Sequence, residues 1–113
     1  MLNQVIIVGR LVKDPEVKIL NDEKKVSHIT LAVNRNYKNL ETGKYETDFI
    51  HCTLWDNIAE ATVNHCKKGS IIGVKGRLVT RTIDLENNKR LNYPDVYAER
   101  ITFISNIKEP NET

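Results

Sequence analysis

One stretch of this chain has the spacing of a helix, while the rest consists of short segments typical of β-strands. Residues 57–67 place apolar side chains at helical intervals. Asp56 or Asn57 is the expected N-cap, and Glu60 stands at the capping-box position three residues after Asn57. Gly69 follows as a natural stop. A single predicted helix limits the fold to a mainly β architecture.

Five segments predict strands, because each is rich in β-branched residues or alternates between apolar and polar ones. They are residues 2–12, 26–37, 45–55, 70–83 and 95–104. Three strands, a helix and two strands is the order of the OB-fold, an all-β five-stranded barrel with one helix between strands 3 and 4. The chain of 113 residues has room for one domain. We expect that domain at 1–105 and a short C-terminal tail at 106–113.

The predicted third strand carries aromatic residues on the face opposite its core residues. Its even positions from 50 to 54 are apolar and suit a core. Side chains alternate across a strand, so Tyr45, Phe49 and Trp55 are expected to point outward. Outward aromatic rings are typical of a platform on which nucleic-acid bases stack. A subunit interface or a second small core explains the same pattern equally well.

Basic residues concentrate in two segments without acidic neighbours, although the net charge is only +2. Neither the segment from Lys24 to Leu40 nor the segment from Ala61 to Ile83 contains an acidic residue. The basic residues of the two segments are Lys24, Lys25, Arg35 and Lys38, then Lys67, Lys68, Lys75, Arg77 and Arg81. Such a stripe suits phosphate contacts, and an ordinary solvated face is the alternative.

Other function classes lack their sequence signals. No phosphate-cradling glycine loop or nucleophile motif occurs, so we expect neither an enzyme nor a cofactor. Cys52 and Cys66 are interpreted as small buried residues in a reducing compartment, and the histidines are not at zinc-ligand spacing. Without a membrane-length apolar run or a signal-peptide pattern, the expected location is the cytoplasm.

The sequence resembles the bacterial single-stranded DNA-binding proteins over about residues 1–105. The resemblance lies in four segments in a fixed order: LNQVIIVGRL with DPEV from Leu2 to Val17, ITLAVNR at 29–35, DFIHCTLW with AE from Asp48 to Glu60, and KGS with VKGRL and TR from Lys68 to Arg81. The resemblance implies binding of unpaired DNA in replication, recombination, repair or DNA uptake. It also implies a homotetramer.

The same resemblance assigns roles to individual residues. Base-stacking aromatic residues of the family match Tyr37, Phe49 and Trp55. Phosphate contacts are implied for Arg10, Arg35, Lys67, Lys68 and Arg81. Arg77 joins this predicted site because it shares a strand parity with Arg81. No catalytic or metal-binding residue is predicted.

Three departures from the family pattern affect these expectations. Ile83 replaces a usual aromatic residue, so one stacking contact is expected to be lost. Segment 84–95, with Pro94 near the start of the last strand, is atypical and leaves the register open. The chain ends in 106–113 without a linker and an acidic, Phe-ended tip, as in short accessory paralogues, so partners that recognise such a tip are not expected. An OB module that recognises protein, sugar or RNA is the competing interpretation.

Overall fold

The computed structural model describes residues 1–105, which form six strands and one α-helix. The predicted tail at 106–113 lies outside the described residues. The elements are β1 (Val5–Leu11), β2 (Lys18–Ile19), β3 (Lys25–Lys38), β4 (Tyr45–Trp55), α1 (Asp56–His65), β5 (Ile71–Asp84) and β6 (Arg90–Ser105), with a 3₁₀ turn at Glu86–Asn88. Five long strands with the helix between the third and the fourth confirm the predicted order.

The strands close into a barrel. Their order in the sheet is β1-β5-β6-β4-β3-β2, and an additional pairing between β1 and β3 joins the two sides. That closing pair places Leu11 opposite Leu31. On the far side, β4 and β6 run parallel, with Cys52 paired to Val96. This closed sheet is the predicted OB-fold barrel.

The core consists of apolar residues from alternate positions of the strands. Leu11, Leu31, Leu54 and Ile72 are almost completely buried there. The helix α1 packs against β3, β4 and β6 and buries Ala59 and Thr62. Because the buried core residues of a strand face inward, the intervening positions face the outer surface of the barrel. The aromatic residues predicted to face outward on the third long strand, β4, therefore lie on the outer surface.

Two strand glycines allow the close approaches that the barrel needs. A Cβ atom on Gly9 would lie 2.9 Å from Val33 Cγ2, where β1 meets β3. A Cβ on Gly76 would collide with the backbone oxygen of Tyr97, next to a register shift between β5 and β6. Glycine is therefore required at both positions, where a side chain would prevent the neighbouring strands from approaching so closely.

Several element boundaries differ from the sequence prediction, including those of the first strand, which spans Val5–Leu11 rather than 2–12. The helix begins at Asp56 with Trp55 as its N-cap residue, and no side chain from residues 1–105 caps it. The carboxylate of Asp56 instead accepts a hydrogen bond from the backbone N–H of Lys25, 3.1 Å away, so the predicted capping box was wrong. The helix also ends at His65, and β6 begins at Arg90 rather than 95 because it pairs with β5 as far as Asp84.

Candidate nucleic-acid interface

The outer face of β4 displays the predicted aromatic residues. Phe49 has 63% of its surface exposed, and Tyr45 is also exposed. Trp55 lies on the same face but is half-buried. The outer face of β6 lies beside that of β4, since Thr53 and Tyr97 are paired across the parallel strands. The predicted outward direction of the aromatic residues on β4 is therefore correct.

Trp55 belongs to a row of three side chains that crosses β4, β6 and β5. Its ring meets the ring of Tyr97 edge-on, with centroids 6.3 Å apart. The guanidinium of Arg77 lies over the Tyr97 ring, 6.0 Å from its centroid. Stacking surfaces flanked by arginine are typical of proteins that bind single strands. The row brings together two of the predicted site residues and adds Tyr97, which sequence reasoning missed.

An apolar groove opens where β4 and β6 separate. Pairing between these two strands, in the part of the chain described, is confined to Cys52 with Val96 and Thr53 with Tyr97. The groove has a volume of about 820 Å³. Its lining consists of Val5, Ile7, Phe49, Ile50, His51, Leu78, Ile83, Leu91, Tyr93, Pro94 and Val96. Ile83 therefore lies in the same groove as Phe49.

A second, polar groove of about 500 Å³ continues from the apolar one, because His51 and Tyr93 line both. Its other lining residues are Lys13, His28, Ile29, Thr30, Cys52, Thr53, Arg81 and Asp95. Arg81, a predicted phosphate contact, is partly exposed here, with Nη1 3.5 Å from a carboxylate oxygen of Asp95. The two grooves form one continuous surface that is apolar at one end and cationic at the other.

Sequence reasoning did not find Tyr93, Asp95 and Tyr97 on this surface. They occupy alternate positions of β6, so their shared face follows from the period of a strand. The signal was obscured by Pro94, which suggested that the strand starts later than it does. In the structure Pro94 lies opposite Thr80 within the long β5–β6 hairpin.

Arg35 lies away from this surface and is held by two carboxylates. Its Nε and Nη2 atoms donate to Asp48 at 3.0 and 2.9 Å, and its Nη1 donates to Glu46 at 2.7 Å. These hydrogen bonds and charges raise the pKa of Arg35 and lower that of Asp48. Arg35 shares the strand parity of Val33, which pairs with Asp48, whereas Phe49 has the opposite parity. The geometry does not favour the predicted phosphate contact.

Tyr37 lies near the end of the β3–β4 hairpin and is 67% exposed. A register shift separates the paired residues Asn34 and Lys38, so the strand is irregular at this point. The hairpin loop is organised by Asn39, whose side-chain oxygen accepts hydrogen bonds from the N–H groups of Glu41 and Thr42. The predicted third stacking residue is thus accessible but stands apart from the two grooves, neither of which it lines.

Arg10, Lys67 and Lys68 form a separate cationic group around the loop that follows α1. Arg10 donates from Nη1 to the backbone oxygen of Gly69 at 3.3 Å. The backbone N–H of Lys68 donates to Asp14 at 2.7 Å, and Lys68 is exposed. Arg10 lies opposite Ala32, and Ala32 lies opposite Phe49. This group is therefore two strands away from Phe49 on the outer surface of the barrel.

The two cysteines differ in burial. Cys52 is buried in the core, whereas Cys66 is only half-buried, so the interpretation of both as buried residues is correct for Cys52 alone. Burial, with a smaller contribution from the Asp95 carboxylate, raises the pKa of Cys52 to about 12. Within residues 1–105, no group of three or more His, Cys, Asp or Glu side chains is placed to hold a metal ion. The one α-helix described is too short and too polar to cross a membrane.

The barrel, its outward aromatic residues and the neighbouring cations define an OB-fold module of the nucleic-acid-binding type. The chain belongs to the single-strand binding protein family, whose family model matches residues 2–104. The resemblance seen in the sequence is thereby confirmed. So is the prediction that the chain is a binding protein and not an enzyme.

Individual relatives agree with this assignment. The chain is 43% identical over 104 residues to single-stranded DNA-binding protein B of Bacillus subtilis. The aligned residues cover 92% of this chain and 91% of that protein. It is 44% identical over 104 residues to the single-stranded DNA-binding protein of Bacillus cereus, of whose length it spans 61%. The structure of a Plasmodium falciparum SSB complex with ssDNA is similar, with a TM-score of 0.79 at 25% identity over 93% of this chain and 97% of that one.

Proposed function

We propose that this protein coats and protects single-stranded DNA by stacking bases on aromatic side chains and contacting phosphates, without strong sequence preference. The observation that carries the proposal is Phe49, a ring with 63% of its surface exposed beside an open apolar groove. An exposed ring of this kind suits the face of any base, which makes stacking tolerant of sequence. The names of the relatives support DNA as the ligand.

The distribution of charge suggests a path for the strand. Bases would occupy the apolar groove and the row formed by Trp55 and Tyr97, while Arg77 and Arg81 contact phosphates along β5. Arg10, Lys67 and Lys68 would continue the phosphate contacts at the far side of the barrel, and Tyr37 would stack a base near the end of the β3–β4 hairpin. We propose residues 1–105 as the DNA-binding domain, acting in the cytoplasm in replication, recombination, repair or DNA uptake.

We also propose that the protein assembles as a homotetramer through the outer face of β1. Ile6 and Val8 are exposed on that face. Val8 and Ile104 both approach Gly73, so the apolar surface extends from β1 to β6. A continuous apolar face on an outer strand is typical of a subunit contact. Light scattering should report a mass near four times 13.0 kDa for the wild-type protein and a smaller assembly mass for a Val8→Lys variant. Ile19→Lys, an exposed change on β2, is the matched control.

The function is tested by comparing single-stranded and duplex DNA of the same sequence. Single strands should bind far more tightly, because only they expose the faces of their bases. Trp55 is the only tryptophan, so its fluorescence should decrease as the site fills. Affinity should fall as salt rises, because phosphate contacts release counterions. Equal affinity for duplex and single strand would contradict the proposal, and tighter binding of a matched RNA would favour an RNA-binding module.

A further inference from the structure

Tyr97 makes the contacts that join Trp55 and Arg77 on the outer surface of the barrel. Its ring lies edge-on to that of Trp55 at a centroid distance of 6.3 Å, with an angle of 71° between the two ring planes. The guanidinium of Arg77 lies 6.0 Å from the centroid of the Tyr97 ring. Tyr97 and Trp55 are both half-buried, whereas Arg77 is exposed. Tyr97 is thus the middle member of the row, and both of the others contact it.

Strand pairing places Tyr97 between these two neighbours. Tyr97 is paired with Thr53 across the parallel strands, and Trp55 follows Thr53 by two positions on the same face of β4. On its other side, Tyr97 lies directly opposite Arg77 in the antiparallel β5–β6 pair. Side chains that are directly opposite in such a pair touch each other. The row therefore follows from the backbone register and exists before any ligand arrives.

The angle between the two rings decides which of them is the platform for a base. A base stacks with its plane parallel to the ring that it meets, and two rings at 71° cannot both be parallel to one base. The face of Tyr97 is the one over which Arg77 lies. Trp55 is the larger ring and shares the outer face of β4 with Phe49. Trp55 is therefore the better platform, and Tyr97 is placed to support it.

A guanidinium held over a ring keeps its charge and its hydrogen-bond donors for a ligand. Arg81 holds the corresponding position opposite Tyr93, but its Nη1 atom lies 3.5 Å from the carboxylate of Asp95. The Tyr97 ring attracts Arg77 without neutralising it, because the ring carries no net charge. The N–H groups of a guanidinium form a planar fork that matches phosphate oxygens. Tyr97 thus orients Arg77 and leaves it able to bind a phosphate.

We propose that Tyr97 is a positioning residue that makes Trp55, Tyr97 and Arg77 one nucleotide-binding subsite. It holds the ring of Trp55 at the angle at which a base stacks on it. It also holds the guanidinium of Arg77 where it meets a phosphate next to that base. Side chains ordered in advance lose less entropy when the strand binds. The inference rests on the proposed function and adds a residue that supports two different contacts with the strand.

The first test compares Tyr97→Leu with Tyr97→Phe, which keeps the ring and removes only the hydroxyl. Tyr97→Leu should weaken binding of an oligo-deoxythymidine strand by about three- to tenfold, because a ring pair and a ring–cation contact are lost. The slope of log affinity against log salt should decrease by up to about one, because Arg77 is no longer held. Tyr97→Phe should match the wild type in both measurements.

A spectroscopic measurement reports the orientation of Trp55 without DNA. Trp55 is the only tryptophan of the chain, so its bands in the near-ultraviolet circular dichroism are assigned without ambiguity. These bands should weaken in Tyr97→Leu, because the indole ring is no longer held at a fixed angle, and should persist in Tyr97→Phe. Unchanged bands in Tyr97→Leu would show that Trp55 keeps its orientation without Tyr97 and would overturn the inference.

A second comparison tests whether Tyr97 acts through its neighbours. In a protein that carries Trp55→Leu and Arg77→Ala, the further change Tyr97→Leu should alter affinity by less than about twofold, because the groups that it positions are gone. Tyr93→Leu is the matched control. Tyr93 lies on the same face of β6 but lines the two grooves, so its loss should weaken binding by the same factor in both backgrounds. A full loss of affinity from Tyr97→Leu in the substituted background would make Tyr97 a direct DNA contact and overturn the inference.

The remaining outcomes separate this inference from the proposed function. Unchanged affinity in Tyr97→Leu, or an equal loss in Tyr97→Phe, overturns the positioning role while DNA binding by the wild-type protein still stands. Failure of the wild-type protein to bind the single strand would instead contradict the proposed function. If the multiply substituted protein does not fold, the dichroism, the salt slope and the rescue by Tyr97→Phe still decide the matter.

Discussion

Arg35 and Asp48 face each other across the β3–β4 hairpin through two hydrogen bonds of 3.0 and 2.9 Å. A third bond, of 2.7 Å, joins Arg35 to Glu46, so the guanidinium is surrounded by two negative charges before any ligand arrives. A phosphate would have to compete with these carboxylates for the guanidinium. The positive charge of Arg35 is thereby balanced within the protein itself.

Removal of Arg35 should consequently change DNA binding little. The slope of log affinity against log salt reports the number of phosphates neutralised. Arg35→Ala should leave this slope nearly unchanged, whereas Arg81→Ala should lower it by about one. Titrations of both variants with the same single strand at several salt concentrations provide the measurement. A reduced slope in Arg35→Ala would mean that Arg35 leaves its carboxylates to contact DNA.

Phe49 and Trp55 should respond differently to truncation. Phe49→Ala should weaken binding of single-stranded DNA by about 1–3 kcal/mol through lost stacking. Its thermal unfolding should stay close to that of the wild type, because the ring is exposed. Trp55→Ala should weaken binding and also lower stability, since Trp55 is half-buried against Tyr97. Phe103→Ala is the control, because Phe103 is exposed but contacts His65 away from both grooves. An unfolded Phe49→Ala protein would place that ring in the core.

Ile83→Trp should strengthen binding. Ile83 lines the apolar groove together with Phe49 and is 43% exposed, so a larger ring there can meet a base without disturbing the core. The expected gain is of the order of one stacking contact, about 1–3 kcal/mol. Thr82→Trp introduces the same ring at the adjacent position, on the opposite face of β5, and should bind like the wild type. Equal gains in affinity for the two variants would contradict a specific role for position 83, because a tryptophan on either face of β5 would then strengthen binding.

Cys52 should be nearly unreactive in the folded protein. Burial raises the pKa of its thiol to about 12, from an ordinary value of 9.0. Between these two pH values the Cys52 thiol is protonated in the folded protein and ionised in the unfolded chain. The neutral thiol of the folded state binds a proton that the unfolded state releases, and this contribution to stability is therefore lost as pH rises from about 9 towards 12. A thiol reagent at mildly alkaline pH should modify Cys66 first. In a Cys66→Ser variant, Cys52 should be modified only as fast as the protein unfolds. Faster modification would contradict the burial of Cys52.

The sequence was most informative where one period governed a whole segment. Alternation on β4 predicted the outward direction of Phe49, because a strand with an apolar inner face leaves no other choice. The same rule failed to identify Asp95, although it lies in the predicted strand 95–104, since its partner Thr53 comes from a distant strand. The ion pairs of Arg35 could not be predicted either, because the sequence alone does not show which carboxylates lie opposite a basic residue. Contacts between strands depend on register, which local patterns specify only weakly.

The separation of β4 and β6 has a further consequence for how such a protein can change. The hairpin from Arg81 to Tyr93 is formed by the ends of β5 and β6 that lie past the residues paired with β4, and it contributes no residue to the buried core. Substitutions, insertions or deletions near its 3₁₀ turn can therefore alter the reach and lining of one wall of the cleft at little cost to folding. The barrel thus keeps its stability in the strand segments that form the core and its capacity for new specificity in the hairpin that extends beyond them.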